Sequence, residues 1–102
     1  MPDPPSEIRF AWDEHKSTLN QKKHGVSFRE AQSVFSDEQA LLLDDPDHSG
    51  EEERFVLLGL SAQLRVLVVC HCYREASRMI RIISARKANK AEQASYAEGQ
   101  RR

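Results

Sequence analysis

The sequence predicts an α+β domain of two layers, with helices packed on a small antiparallel β-sheet. Two observations carry this. Three runs rich in Val, Ile and Leu (54–61, 64–74 and 78–85) are separated by gaps of only two and three residues. Gaps that short close hairpins, because a parallel crossover needs a dozen residues or more. Helical patterns flank these runs instead of alternating with them, so the order reads strand, helix, helix, four strands, helix.

The 102 residues suffice for one small domain. Residues 1–7 read as a disordered lead, 8–99 as the domain and 100–102 as a tail. "IRFAW" (8–12) is a short edge strand. Asp13 then caps a helix with Glu14 in its first turn, Lys22, Lys23 and His24 in its last, and Gly25 at its exit. Ser27 and Glu30 form a capping box for a second N-terminal helix, which Val26 staples. Phe28, Ala31, Val34 and Phe35 make its apolar stripe, read as core.

"QALLLDD" (39–45) is a short strand, and 46–53 is a loop punctuated by Pro46 and Gly50. Its carboxylates lack the ordered spacing of a calcium loop. Strict alternation puts Val66, Val68, Cys70 and Cys72 on one face of the 64–74 strand, as the helix-packed side. Arg65, Leu67, Val69, His71 and Tyr73 take the other, open face. In the last strand Ile80, Ile82, Ser84 and Arg86 share a face, opposite Met79, Arg81 and Ile83. Asn89 and Glu92 cap a C-terminal helix that runs to about Gly99.

A hydrophobic content of 39% and a charged content of 30% fit a soluble globular protein. No apolar run approaches the roughly 20 residues of a membrane helix, so no membrane partner is expected. The start is acidic and proline-rich, unlike a secretion signal, and the expected location is cytoplasmic. Cys70 and Cys72 leave the same face of a strand with His71 opposite, which suits neither an unstrained disulfide nor a metal site. They read as small buried thiols.

Charge divides sharply along the chain. Residues 1–53 hold 13 acidic and 5 basic residues, a balance of −8, and residues 54–102 hold 3 acidic and 10 basic, a balance of +7. The basic half suits a polyanion or an acidic partner, although pairing between the halves gives the same count. Arg74, Arg78, Arg81, Arg86, Lys87 and Lys90 concentrate around the last strand.

Cleaving RNA through its 2′-hydroxyl needs a base, an acid and cations for the developing phosphorane charge. His71, Glu75 and Tyr96 are candidate proton carriers, and Arg74, Arg81 and Arg86 candidate charge stabilisers. Arg78, Lys87 and Lys90 are candidate RNA contacts. No metal or cofactor is called for. Plainer roles stand beside each of these: an internal ion pair for Arg81, a half-exposed strand position for His71, ring packing for Tyr96, solvated charge for Arg78 and Lys90.

"FAWDEHKSTLNQKKHGVSF" and "EAQSVFSD" resemble the opening of the BrnT family of bacterial toxins, through Phe10, Trp12, Asp13, Lys16, Asn20, Lys23, His24, Gly25, Val26 and Phe28. "ERFVLLGLS" and "IRIISARKA" extend the resemblance through Arg54, Gly59, Ser61, Arg81, Ser84, Arg86, Lys87, Glu92 and Tyr96. It covers about residues 8–98, and its ordered set of positions is what makes it specific. The "YREAS" turn departs from the glycine-bearing hairpin common in the family. The resemblance implies a RelE-like fold and a ribonuclease toxin of a type II toxin–antitoxin pair that cuts RNA and blocks translation. It implies a BrnA-type antitoxin as partner, with operator DNA reached indirectly through that antitoxin. The alternative function is a non-catalytic binding subunit or co-repressor. His24 is expected to hold helix to sheet.

Overall fold

The computed structural model describes residues 8–45 and 53–100. The expected lead (1–7), most of the expected loop (46–52) and the end of the tail (101–102) lie outside these residues. The elements are β1 (Arg9–Ala11), α1 (Glu14–His24), α2 (Phe28–Ser33) with a 3₁₀ turn (Val34–Ser36), β2 (Leu41–Asp44), β3 (Phe55–Leu60), β4 (Val66–Arg74), a 3₁₀ turn (Glu75–Ser77), β5 (Met79–Lys87) and α3 (Lys90–Gly99).

The strands form one five-stranded sheet in the order β1-β5-β4-β3-β2. The hairpins are antiparallel as expected, but β1 runs parallel to β5, so the sheet is mixed. The short-gap rule concerns consecutive strands and is silent about β1, which meets the last strand only after the whole chain has turned.

Both faces of β3 and β4 are apolar, and this overturns the two-layer expectation. Leu57, Leu67, Val69 and Ile82 pack under Val26, Phe28, Ala31 and Val34 in the larger core. Leu58 and Val68 pack with Ala88 and Tyr96 in a smaller core on the reverse face, under α3. Leu67 and Val69 are 0% exposed, so the β4 face expected to be open is the one the N-terminal helices cover.

The caps follow the residues closely. Asp13 accepts from the His15 and Lys16 N–H groups, and Gly25 leaves α1 at φ 72°. Ser27 accepts from the Glu30 N–H, but only half of the expected capping box forms. The Glu30 carboxylate instead accepts from Arg65 Nε at 2.9 Å, Arg65 Nη2 and Ser61 Oγ at 2.7 Å. A guanidinium fork offers a nearly buried carboxylate more than one backbone N–H can. At the far end of α3, the Tyr96 hydroxyl donates to Asp37 Oδ2 at 2.6 Å, and Asp37 also accepts from the Leu60 N–H at 2.8 Å.

Two irregularities of β5 position the site. Its outer edge is covered by β1 only along Met79–Arg81. Beyond that, the buried Asn20 of α1 replaces a strand: its amide donates to the Ala85 carbonyl at 2.8 Å and accepts from the Ala85 N–H at 3.2 Å. The same amide donates to the Val26 carbonyl at 2.8 Å, tying the α1–α2 turn to the sheet. Asn20 thus holds this helix to the sheet.

The second irregularity is a β-bulge. Cys70 lies opposite Ser84 and His71 opposite Ile82, so Ile83 is an extra residue on β5. Past the bulge the parity of facing reverses. Ile80 and Ile82 point toward the N-terminal helices, and so does Ala85 at 1% exposure. Ser84 and Arg86 point to the reverse face, with Arg81.

Asn20→Ala should lower the unfolding free energy by about 1–3 kcal/mol, since it strands buried backbone groups without partners; denaturant titration reads the loss. The Arg65 guanidinium holds the Glu30 carboxyl below the usual carboxylate range, more than offsetting burial. A carboxyl depressed in the folded state stabilises above its unfolded pKa and loses that contribution as the pH falls through the folded one. Glu30→Gln should therefore be less stable than wild type near neutrality, with the gap narrowing as acid protonates the wild-type carboxyl. Urea midpoints across an acid series test this.

Candidate active site

α3 covers only part of the reverse face of the sheet. Beside it lies a groove lined by His24, Asp45, Arg54, Val56, Val68, Cys70, Ile83, Ser84, Ala85 and Arg86. Its polar groups come from five elements or their ends. His24 is the last residue of α1, brought to the edge of β5 by the Asn20 clasp. Arg54 immediately precedes β3, and its carbonyl accepts from the Asp45 N–H at 3.2 Å, which pairs the start of β3 with the end of β2. Cys70 and Ser84 face each other across β4 and β5. Arg86 follows two residues later, carried onto this face by the bulge.

The groove is cationic and its arginines are held differently. Arg54 Nε is buried and makes no hydrogen bond, an expensive state for a charged donor. A donor in that state marks a place where an anion would be welcome. Arg86 is anchored: Nη1 and Nη2 donate to Glu92 Oε1 and Oε2, each at 2.8 Å. That hydrogen-bonded fork holds the Glu92 carboxyl down at about 2, with the Asn89 N–H contributing. The Arg86 side chain remains 44% exposed, so the paired guanidinium still meets solvent along the groove.

The surroundings of Cys70 disfavour its thiolate. Burial first, then the neighbouring Asp45 carboxylate, push its thiol up to about 11. The thiol donates to Asp45 Oδ2 at 3.5 Å. Both cysteines are free, as their spacing suggested. Among the described residues no group of three or more His, Cys, Asp or Glu side chains is arranged to hold a metal ion. No helix among them is long and apolar enough to cross a membrane.

Of the side chains singled out from the sequence, only Arg86 lines this groove. Arg81 shares its face but sits opposite Cys72, five residues back along β5 and roughly 15 Å away at strand spacing. Arg74 pairs with Met79 at the distal end of the hairpin, and Arg78 occupies the tight turn there at φ 51°. Glu75 starts the intervening 3₁₀ turn. The three candidate charge stabilisers do not meet in one hollow, because Arg81 and Arg86 are spaced along β5 and Arg74 ends β4 at the far end of the hairpin.

His71 falls on the opposite face, 4% exposed, its ring 4.8 Å from Phe35 and its Nδ1 3.2 Å from the Val69 carbonyl. Burial lowers its pKa and favours the neutral ring. Lys87 pairs with Leu67, also on the helix-covered side, where its charge helps hold the Glu30 carboxyl down. Tyr96 is 9% exposed, its hydroxyl given to Asp37. Lys90 is exposed in the first turn of α3.

His24, Arg54 and Ser84 are the groove residues that chemical reasoning on the sequence passed over. Arg54 and Ser84 stood in the ordered set of matched positions without a core role, and His24 stood there with only a structural one; that was the available signal.

The model of a family described as the ribonuclease toxin BrnT of type II toxin–antitoxin systems matches residues 12–92. Among solved structures, the 1.1 Å crystal structure of the Brucella abortus ribonuclease toxin BrnT superposes with a TM-score of 0.61 at 22% identity. That match covers 81% of this chain and 99% of the other, and at such an identity it speaks for the fold. No curated protein matches the sequence. A family match that runs from Trp12 through Glu92 takes in α1, α2, strands β2 to β5 and the Arg86–Glu92 pair, and the chain belongs to the BrnT family of ribonuclease toxins.

Proposed function

We propose that this chain cleaves RNA in the groove lined by His24, Arg54, Ser84 and Arg86. The observation that carries the reading is Arg54, whose buried Nε has no hydrogen bond beside a second, anchored guanidinium and an imidazole. Two guanidinium groups match the oxygens of a phosphodiester. Their charge is worth most as the phosphorus gains its fifth oxygen and negative charge builds.

Attack by the ribose 2′-oxygen on the adjacent phosphorus forms one P–O bond and breaks the bond to the 5′-oxygen of the next nucleotide. The products are a 2′,3′-cyclic phosphate and a 5′-hydroxyl. His24 moves the proton, since imidazole is the side chain suited to that near neutrality. Ser84, which lines the groove, gives a hydrogen bond from its Oγ to a phosphate oxygen in this reading. Arg81, on the same face, extends the cationic track for the strand beyond the cut, with Arg74 and Arg78 further along. Lys90 flanks the groove end of α3. His71 and Tyr96 have no place in this reading, their side chains being committed elsewhere, and Lys87 lies on the other face of β5. The chemistry uses proton transfer and fixed cations, so cleavage is expected to persist in a chelator.

The wider reading follows the family: a RelE-like toxin that blocks translation, acts in the cytoplasm and is silenced by a BrnA-type antitoxin, which also carries any contact with operator DNA. Covering this groove would be enough to silence it.

Purified protein should cut an RNA oligonucleotide and leave its 2′-deoxy counterpart whole. Arg54→Ala and Arg86→Ala should each lose about 10²-fold or more in rate. His24→Ala should lose roughly 10²–10⁴-fold. Circular dichroism should stay native throughout. Folded wild-type protein that leaves RNA intact at every concentration would end this reading.

A further inference from the structure

We propose that Glu92, which does not line the groove, is a positioning residue for cleavage and holds Arg86 in its working orientation. The inference rests on the ribonuclease reading above. Arginine is a long side chain with many rotamers, and Arg86 is 44% exposed. Left alone, it would sweep through solvent.

Glu92 removes that freedom with a fork of two parallel bonds, Nη1 to Oε1 and Nη2 to Oε2, each 2.8 Å long. This geometry uses one edge of the guanidinium plane; Nη1 also donates to the Lys87 carbonyl at 3.3 Å, which leaves Nε and the outward N–H of Nη2 for a ligand. Glu92 is itself fixed. Its Oε1 accepts from the Asn89 N–H at 2.8 Å, and its own N–H donates to Asn89 Oδ1 at 2.8 Å, a complete capping box. A carboxylate that capped α3 and did nothing else would not need to meet both terminal nitrogens of an arginine on another element. The shared oxygen therefore couples the seating of α3 to the aim of Arg86.

The two jobs can be separated by mutation. Glu92→Gln keeps an amide oxygen for the Asn89 N–H but loses the charge and the symmetric fork. Asn89→Ala removes the side-chain half of the cap and leaves the Glu92 carboxylate on Arg86. Steady-state cleavage of an RNA oligonucleotide is measured for both, with thermal midpoints alongside. The expected result is a fall of about 10²-fold in kcat for Glu92→Gln, as for other losses of alignment at a reacting centre, with KM changed far less. Asn89→Ala should lower the midpoint yet retain wild-type kcat. Glu92→Gln with wild-type kcat, or Asn89→Ala losing as much kcat as Glu92→Gln, would overturn the inference and leave the ribonuclease reading standing. An inactive wild-type protein would overturn both.

Discussion

The clasp of Asn20 on Ala85 is the contact on which the rest depends. β1 covers only Met79–Arg81 of the outer edge of β5, and an open edge is a liability in a small sheet. One buried side-chain amide closes it by bonding both backbone groups of Ala85. Fixing Ala85 with its methyl inward sets the direction of its neighbours. Ser84 and Arg86 have nowhere to go but the reverse face. The same clasp sets the position of α1, and so of His24 at its end. Three groups of the groove are placed by a residue that never enters it.

The bulge at Ile83 complements this. In an unbroken strand, Arg86 would share a face with Ile80 and Ile82 and would be driven into the larger core. The extra residue reverses the parity, so β5 is apolar beneath the helices at Ile80, Ile82 and Ala85 while its charges emerge on the other side. Bulges recur where a sheet must re-aim a side chain. Here that re-aiming separates the groove from the hydrophobic core and sets Arg86 beside the first turn of α3.

Much of the fold was legible because it was written in local chemistry. Asp13, Gly25, Ser27 and Asn89 announce their helix ends, and the apolar runs announce their strands. Three features were not local. The parallel pairing of β1 with β5 joins residues some seventy positions apart. The change of facing along β5 turns on a single inserted residue that looks like any other isoleucine in a run. The capping-box promise of Glu30 was outbid by Arg65, which is 35 positions away. The site suffered most from the second of these. Reading β5 as strictly alternating set Arg81 against Arg86 on opposite faces, and reading the mixed face of β4 as open made His71 a candidate, whereas His71 packs on Phe35 beneath the helices. Arg86 survived as a candidate because charge at a strand end is conspicuous. Arg54 and His24 did not, because nothing in their immediate sequence says that they will meet.

The most direct test of where this protein engages nucleic acid is a titration with a 2′-O-methyl RNA dinucleotide, which cannot be cut, followed by NMR of backbone and arginine side-chain resonances. The account predicts perturbations confined to the face bearing His24, Arg54, Ser84, Arg81 and Arg86, strongest at the two arginines of the groove. Perturbations centred on the opposite face around His71 and Tyr73, with Arg54 and Arg86 unmoved, would contradict it.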